Sequence, residues 1–192
     1  MPDKIKQSIF YSLKYRSSSY KCFLLLYLLK RITDKKREFS FNELSKGIVL
    51  EAWNYLPYFD GPLTKIDDLF DLCLDLIEVS SNALTAYSTE QQVSNYLDCL
   101  QDKGINRRIK NLCLIAPYRL DINESIAGFL HGVVDRKKNG LVEEYSHQYE
   151  LFYEIDKKKI TINPVYLKYI VNNRASLVEE VKQFIERRYI DK

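Results

Sequence analysis

The feature that most restricts the fold is a run of eight apolar residues at positions 22–29, which lies between Lys21 and Lys30. This run is far shorter than the roughly 20 residues that a membrane-spanning helix requires. The wider segment 20–33 is apolar over most of a helical surface, which is typical of a helix buried on all sides. The chain therefore needs several other elements to surround this central helix.

The composition excludes several classes of protein. Hydrophobic residues make up 46% of the 192 positions and charged residues 29%, which is close to the globular average and unlike a disordered or collagen-like chain. Six glycines and five prolines are few for an all-β architecture built on tight turns. The length and the absence of a clear linker predict a single domain over residues 1–192, with its weakest join at 137–150.

Capping signals and apolar periodicity predict most of the helices. Ser40 and Glu43 form a capping box that begins a helix ending near Tyr55. Ser88 and Gln91 form a second box, which is expected to begin a helix that closes at Gly104. Helical spacing marks four further segments: residues 5–14, 63–87, 106–114 and 124–136. We expect Ser80–Asn82 to end or kink the helix at 63–87, and Asn106 to cap the helix at 106–114.

One β element is predicted, in the C-terminal third of the chain. Residues 152–155 and 159–162 flank a short turn, and the alternation in the second segment favours a hairpin. Asn163 followed by Pro164 predicts the start of a helix that continues to Tyr189, with a break near residues 172–173. A two-stranded ribbon alone is marginal, so it must pack on the helices.

These patterns together predict a mainly α, compact domain of roughly seven to nine helices with one β-hairpin. Its core is expected to contain Leu24, Leu25, Trp53 and Phe70.

Motifs for catalysis, metals and cofactors are not apparent in the sequence. His131 lies four residues before Asp135, a spacing that suits a metal pair, but no third ligand is near them in the sequence, and His147 is expected in an exposed loop. No phosphate loop or nucleophile elbow occurs. We therefore predict no catalytic residue, no metal and no cofactor. The four cysteines form no CxxC pair and lie among apolar residues, so we expect reduced, buried thiols. We see no signal peptide, and together with reduced cysteines this predicts a cytoplasmic protein without a membrane partner.

Basic residues form several clusters, although the net charge of +3 is too small to indicate a nucleic-acid partner by itself. Each cluster alone is typical of a solvated surface. Clusters that fall on one side of the fold would form a phosphate-binding surface. The clusters are residues 35–37, Arg107 and Arg108 with Lys110, residues 136–138, and the hairpin tip at 157–159.

Several strings, read in order, resemble a known group of proteins. They are SYKCFLLLYLL at 19–29, FSFNEL at 39–44 followed by Ala52-Trp53, PYRL at 117–120, and ITIN at 160–163 followed by YLKY at 166–169 and Asn173. This order is similar to the N-terminal helical region of bacterial proteins with an HNH-endonuclease domain, found among restriction and defence genes. The similarity covers most of residues 8–190.

The resemblance implies a function without its own active site. In that group the nuclease motif follows this region, whereas this chain ends at Lys192 without it, and neither histidine lies in a ββα-metal setting. The expectation is a non-catalytic nucleic-acid-binding or target-recognition module, with double-stranded DNA and a separate nuclease subunit as partners. The candidate binding residues are Arg107, Arg108, Lys110, Arg119, Arg136, Lys137 and Lys138.

Other interpretations stay open at this point. The 15 tyrosines and the mixed-charge composition are also compatible with a protein-interaction module that assembles with a partner enzyme. A divergent metal-dependent nuclease would use Asp68 and Asp71 with Glu78 or His131. Arg119 is also compatible with a structural role, as a buried arginine that pairs with a carboxylate or caps helix carbonyls.

Overall fold

The computed structural model describes residues 5–7, 9–10, 13, 19–58, 68–113, 152–156 and 158–190. These ranges are mainly helical and contain one small antiparallel sheet, so the predicted fold class is confirmed. The elements from Ser19 onwards are helix α1 (Ser19–Arg31), strand β1 (Glu38–Ser40), helix α2 (Phe41–Trp53), a 3₁₀ turn (Leu56–Tyr58), helices α3 (Asp68–Val79), α4 (Glu90–Cys99) and α5 (Lys103–Cys113), strands β2 (Tyr153–Asp156) and β3 (Lys159–Ile162), and helix α6 (Pro164–Tyr189).

Helix α1 is the buried centre that the apolar run predicts. Every residue from 22 to 29 is at most 7% exposed, and α2 and α6 pack against the helix. The four residues named as core, Leu24, Leu25, Trp53 and Phe70, are all buried. Within the described ranges, no helix is both long and apolar enough to cross a membrane.

The sheet has three strands, one more than the predicted hairpin. Its order is β1-β3-β2, and both pairings are antiparallel. Ile160 on the central strand lies opposite Phe39 on one side and Ile155 on the other, so three fully buried side chains share one face. Strand β1 has only three residues, too few to show an alternation pattern. It pairs with β3, which lies about 120 residues later in the chain.

The first capping box is only half formed. Ser40 accepts a hydrogen bond from the Glu43 amide at 3.2 Å, as predicted, and α2 ends at Trp53. The Glu43 carboxylate does not reach back to the cap. It accepts instead from the Tyr27 hydroxyl at 3.3 Å and pairs with Lys36, so it ties α1 and the preceding loop to α2.

The second capping box is complete but begins one residue later than predicted. Thr89 accepts from the Gln92 amide at 3.3 Å, while the Gln92 side chain accepts from the Thr89 amide at 2.8 Å. Helix α4 then ends at Cys99 and not at Gly104.

The predicted cap of the next helix is wrong. Asp102 accepts from the Ile105 amide at 2.8 Å and begins α5. Asn106 lies inside that helix and donates from its side chain to the Leu100 carbonyl at 2.7 Å. Aspartate and asparagine both favour caps, so the register of the apolar residues, and not the residue type, decides which one is used.

Helix α3 ends where its sequence predicts. Ser81 and Asn82 have φ values of 50° and 74°, which are left-handed conformations that a helix cannot continue through. Helix α6, in contrast, continues unbroken through the expected break at residues 172–173. The Asn173 side chain donates to the Tyr169 carbonyl at 2.8 Å, and the buried residues Ile170 and Leu177 hold the helical register on either side.

The cysteines differ from one another in burial. Cys22 and Cys73 are buried free thiols, as predicted, whereas Cys99 is exposed. Cys99 is the last residue of α4 and lies on the side of the helix away from Val93 and Leu97, which face the core.

Replacing Gly47 with alanine is expected to lower the free energy of unfolding by about 1–2 kcal/mol. A Cβ at this position of α2 would lie 2.5–2.6 Å from ring atoms of Tyr27, whose ring packs edge-on against Phe39. Overlap this close with three atoms of a rigid ring places the cost of overpacking at about 2–3 kcal/mol, the upper part of the usual range. This cost exceeds the gain of roughly 1 kcal/mol in helix propensity. Urea unfolding followed by circular dichroism measures the difference.

Gly104→Ala is the matched control for this substitution. Its Cβ would meet only the Asp102 side chain, at 3.2 Å, on an exposed part of α5. We expect the stability to stay the same or to rise by up to about 1 kcal/mol, because little overpacking opposes the gain in helix propensity. A Gly47→Ala variant as stable as the wild type would contradict the close packing of α1 on α2.

Candidate nucleic-acid interface

Helix α5 is strongly amphipathic, and its sequence KGINRRIKNLC contains no acidic residue. Ile105 and Ile109 are buried, and the helix packs on α2 and α3. Residues at this spacing share one helical face, so the basic residues are left on the other side. The apolar contacts therefore hold a cationic surface toward solvent.

Three cations form a stripe along this surface. Lys103, Arg107 and Lys110 are exposed and follow one another at spacings of four and three residues, which places them on one face. We call these three residues the basic face of α5. With a rise of about 1.5 Å per residue, the stripe is about 10 Å long. No described carboxylate forms an ion pair with any of the three.

Arg108 has a different position from its neighbour Arg107. Its guanidinium pairs with Asp75 on α3, and both side chains are partly exposed. An exposed pair of this kind contributes at most about 1 kcal/mol, but it occupies the cation and orients it toward α3. Of the predicted binding residues on α5, Arg107 and Lys110 therefore share the open face and Arg108 does not.

The carboxylates nearest to α5 in sequence are already engaged. Asp98 pairs with Lys46, and Asp102 caps the helix start. Asp75 pairs with Arg108, as described above. The three cations of the basic face are therefore left without an ion-pair partner among the described residues, and exposed unpaired cations are the groups that replace counterions on a phosphate backbone.

Lys103 belongs to the basic face but is absent from the binding residues predicted from the sequence. The helical spacing that relates these residues is visible in the sequence, because Lys103 precedes Arg107 by four residues and Lys110 by seven. It was obscured by the prediction that Gly104 closes the preceding helix, which placed Lys103 outside the helix to which it belongs.

The remaining predicted basic residues divide into two groups. Arg119, Arg136, Lys137 and Lys138 lie outside the described residues, as do both histidines. The other clusters are partly neutralised: Lys36 pairs with Glu43, and Lys159 pairs with Glu38 at 3.2 Å.

The acidic face of α3, formed by Asp68, Asp71 and Asp75, is the alternative candidate for a metal-dependent catalytic site. Asp68 and Asp71 are exposed, and Asp75 is held by Arg108. In the ranges that the structure describes, no group of three or more histidine, cysteine, aspartate or glutamate residues is arranged to hold a metal ion.

Comparisons of the chain with protein-family models, with curated proteins and with solved structures give no match. The relation to HNH-endonuclease proteins therefore stays a prediction from the sequence.

Proposed function

We propose that this protein binds the phosphate backbone of double-stranded DNA through the basic face of α5. The observation that carries the proposal is the set of three exposed cations, Lys103, Arg107 and Lys110, on one face of a helix whose other face is anchored in the core. No described acidic residue offsets them.

The length of this face suits a polyanion. A duplex carries about one charge per 1.7 Å of its axis, so about six phosphate charges lie along a stretch equal to the 10 Å stripe. Long, flexible lysine and arginine side chains reach phosphates without demanding a particular base sequence. The proposed activity is therefore binding of the backbone without catalysis.

The wider setting is part of the same proposal. The resemblance stated above supports a module that works beside a separate nuclease subunit in a bacterial restriction or defence system. The free thiols Cys22, Cys73 and Cys99 support a reducing compartment such as the cytoplasm.

Fluorescence anisotropy with a labelled duplex tests the binding. We expect log affinity to fall linearly with log salt, at about −0.9 per phosphate contact. Changing Lys103, Arg107 and Lys110 to glutamine should weaken binding at least tenfold and reduce the magnitude of the salt slope by about 2.7, because three contacts are lost.

Two controls make this test specific. Arg108→Gln removes a charge from the same helix, but one already paired with Asp75, so its effect should be much smaller than that of Arg107→Gln. A triple variant at Lys35, Lys168 and Arg187, all exposed, removes the same charge away from α5. Equal losses in both triple variants, or no duplex binding by the wild type at low salt, would overturn the proposal.

A further inference from the structure

The C-terminal ends of three helices meet at a cleft of about 480 Å³, within the size range of small-molecule sites. We call it the tyrosine cleft. It lies far along the chain from the basic face and is independent of the function proposed above. Its lining residues are Lys30 from the last turn of α1, Asn54 and Tyr55 after α2, Tyr58 in the 3₁₀ turn, and Lys182, Glu186 and Ile190 on or just after α6.

The cleft presents one charge of each sign that no described residue neutralises. Lys182 and Glu186 are one turn apart on α6, yet they are not paired with each other or with another described side chain. Lys30 differs, because its ammonium is held 2.5 Å from the buried carboxylate of Glu51. The charges left for a ligand are therefore one cation and one anion, on residues whose backbones lie about 6 Å apart along the helix axis.

The other walls of the cleft are aromatic or apolar. Tyr58 is 63% exposed, which is high for so large a side chain, and Ile190 adds an aliphatic surface. Asn54 provides an amide that both donates and accepts hydrogen bonds. These walls suit a flat or apolar group that leaves water to contact an aromatic ring.

The electrostatics of the back wall favour a bound ammonium group. Helix C-termini carry partial negative charge, and residues at or near three such ends line the cleft. Burial raises the pKa of the Tyr55 hydroxyl, and the carboxylates of Glu186 and Glu51 raise it further. Tyr55 therefore stays protonated and remains a hydrogen-bond donor.

We infer that the tyrosine cleft binds a zwitterionic amino acid with an aromatic or apolar side chain. Lys182 binds the carboxylate, Glu186 and the helix carbonyl ends bind the ammonium group, and the side chain packs against Tyr58 and Ile190. A singly charged ligand would match only one of the two charges on α6 and would forgo the attraction of the other.

Calorimetric titration of the full chain with three related probes tests this inference. L-phenylalanine carries both charges, phenethylamine only the cation, and 3-phenylpropionate only the anion. We expect phenylalanine to bind at least tenfold more tightly than either of the others. Equal affinity for a singly charged probe, or no binding of phenylalanine at millimolar concentration, would overturn the inference.

Variants on α6 provide the second readout. Lys182→Gln and Glu186→Gln should each weaken phenylalanine binding at least tenfold, and the double variant Lys182→Glu/Glu186→Lys should recover part of the loss because both charges return to the cleft. Lys168→Gln, an exposed change elsewhere on α6, is the matched control. Equal losses in the control and the cleft variants would contradict the assignment. Unfolding midpoints confirm that each variant is folded.

Discussion

Replacing Lys30 with methionine is expected to lower the free energy of unfolding by about 3 kcal/mol near neutral pH. Glu51 is 3% exposed, and the Lys30 ammonium lies 2.5 Å from its carboxylate. Methionine keeps much of the packing of the lysine stem but leaves the carboxylate buried without its counter-ion. The expected loss lies at the lower end of the range of about 3–5 kcal/mol for breaking a buried ion pair, because the Lys30 side chain is itself 34% exposed.

The loss in free energy of unfolding caused by Lys30→Met should depend on pH in a defined direction. Burial raises the pKa of the Glu51 carboxyl, against an opposing effect of Lys30. A carboxyl with a higher pKa in the folded chain contributes stability below the unfolded pKa, and this contribution is lost as the pH rises through the folded pKa. Without Lys30 the folded pKa rises further. The gap between variant and wild type should therefore be larger at about pH 7 than at about pH 5.

Urea unfolding of both proteins at these two pH values measures the effect. Lys46→Met is the matched control, because the partner of Lys46 is the exposed Asp98 and such pairs contribute about 0–1 kcal/mol. Equal losses for the two lysine variants, or a Lys30→Met deficit that does not change with pH, would show that Glu51 is not desolvated as described.

Replacing Trp53 with alanine is expected to cost about 4 kcal/mol, the other large effect in this chain. Trp53 is 2% exposed, and its indole nitrogen donates to the Thr85 carbonyl at 3.2 Å. The substitution removes a large buried ring and also leaves that carbonyl without its partner. Trp53→Phe should cost less, because most of the volume is kept and mainly the hydrogen bond is lost.

Circular dichroism should follow this unfolding, because Trp53 is the single tryptophan and its fluorescence disappears with the substitution. Tyr87→Ala is the control, since Tyr87 is 81% exposed and lies two residues from Thr85. We expect it to change stability by less than about 0.5 kcal/mol. Similar effects of Trp53→Ala and Tyr87→Ala would contradict the position of Trp53 in the core.

Local patterns predict much of the described fold because the interactions that begin and end these helices are local. The Ser40 cap, the stop at Ser81–Asn82 and the Asn163–Pro164 start each involve residues within a few positions of one another. Where two residues at most four positions apart are both good caps, local chemistry alone is ambiguous. That is why the second capping box falls on Thr89 and why α5 begins after Asp102.

In the candidate nucleic-acid interface, too, the sequence predicts the local arrangement but not the tertiary contacts. The sequence predicts that Arg107 and Lys110 lie together, because helical spacing is a local property. It does not predict that Arg108 turns to Asp75, since the two residues are 33 positions apart and meet only when α5 packs on α3. The inclusion of Lys103 depends on where α5 begins, which the packing of Ile105 decides.

Apolar patterning and capping signals are enough to predict a mainly helical chain around the apolar helix α1, a hairpin in the C-terminal third, and the core positions Trp53 and Phe70. Periodicity and capping encode these features within single elements. Three other features arise from tertiary contacts: β1 joins β3, Glu51 is buried beside Lys30, and Lys182 and Glu186 face a cleft with Tyr58. Each of these depends on residues far apart in the chain, and such contacts leave no periodic signal in either segment alone.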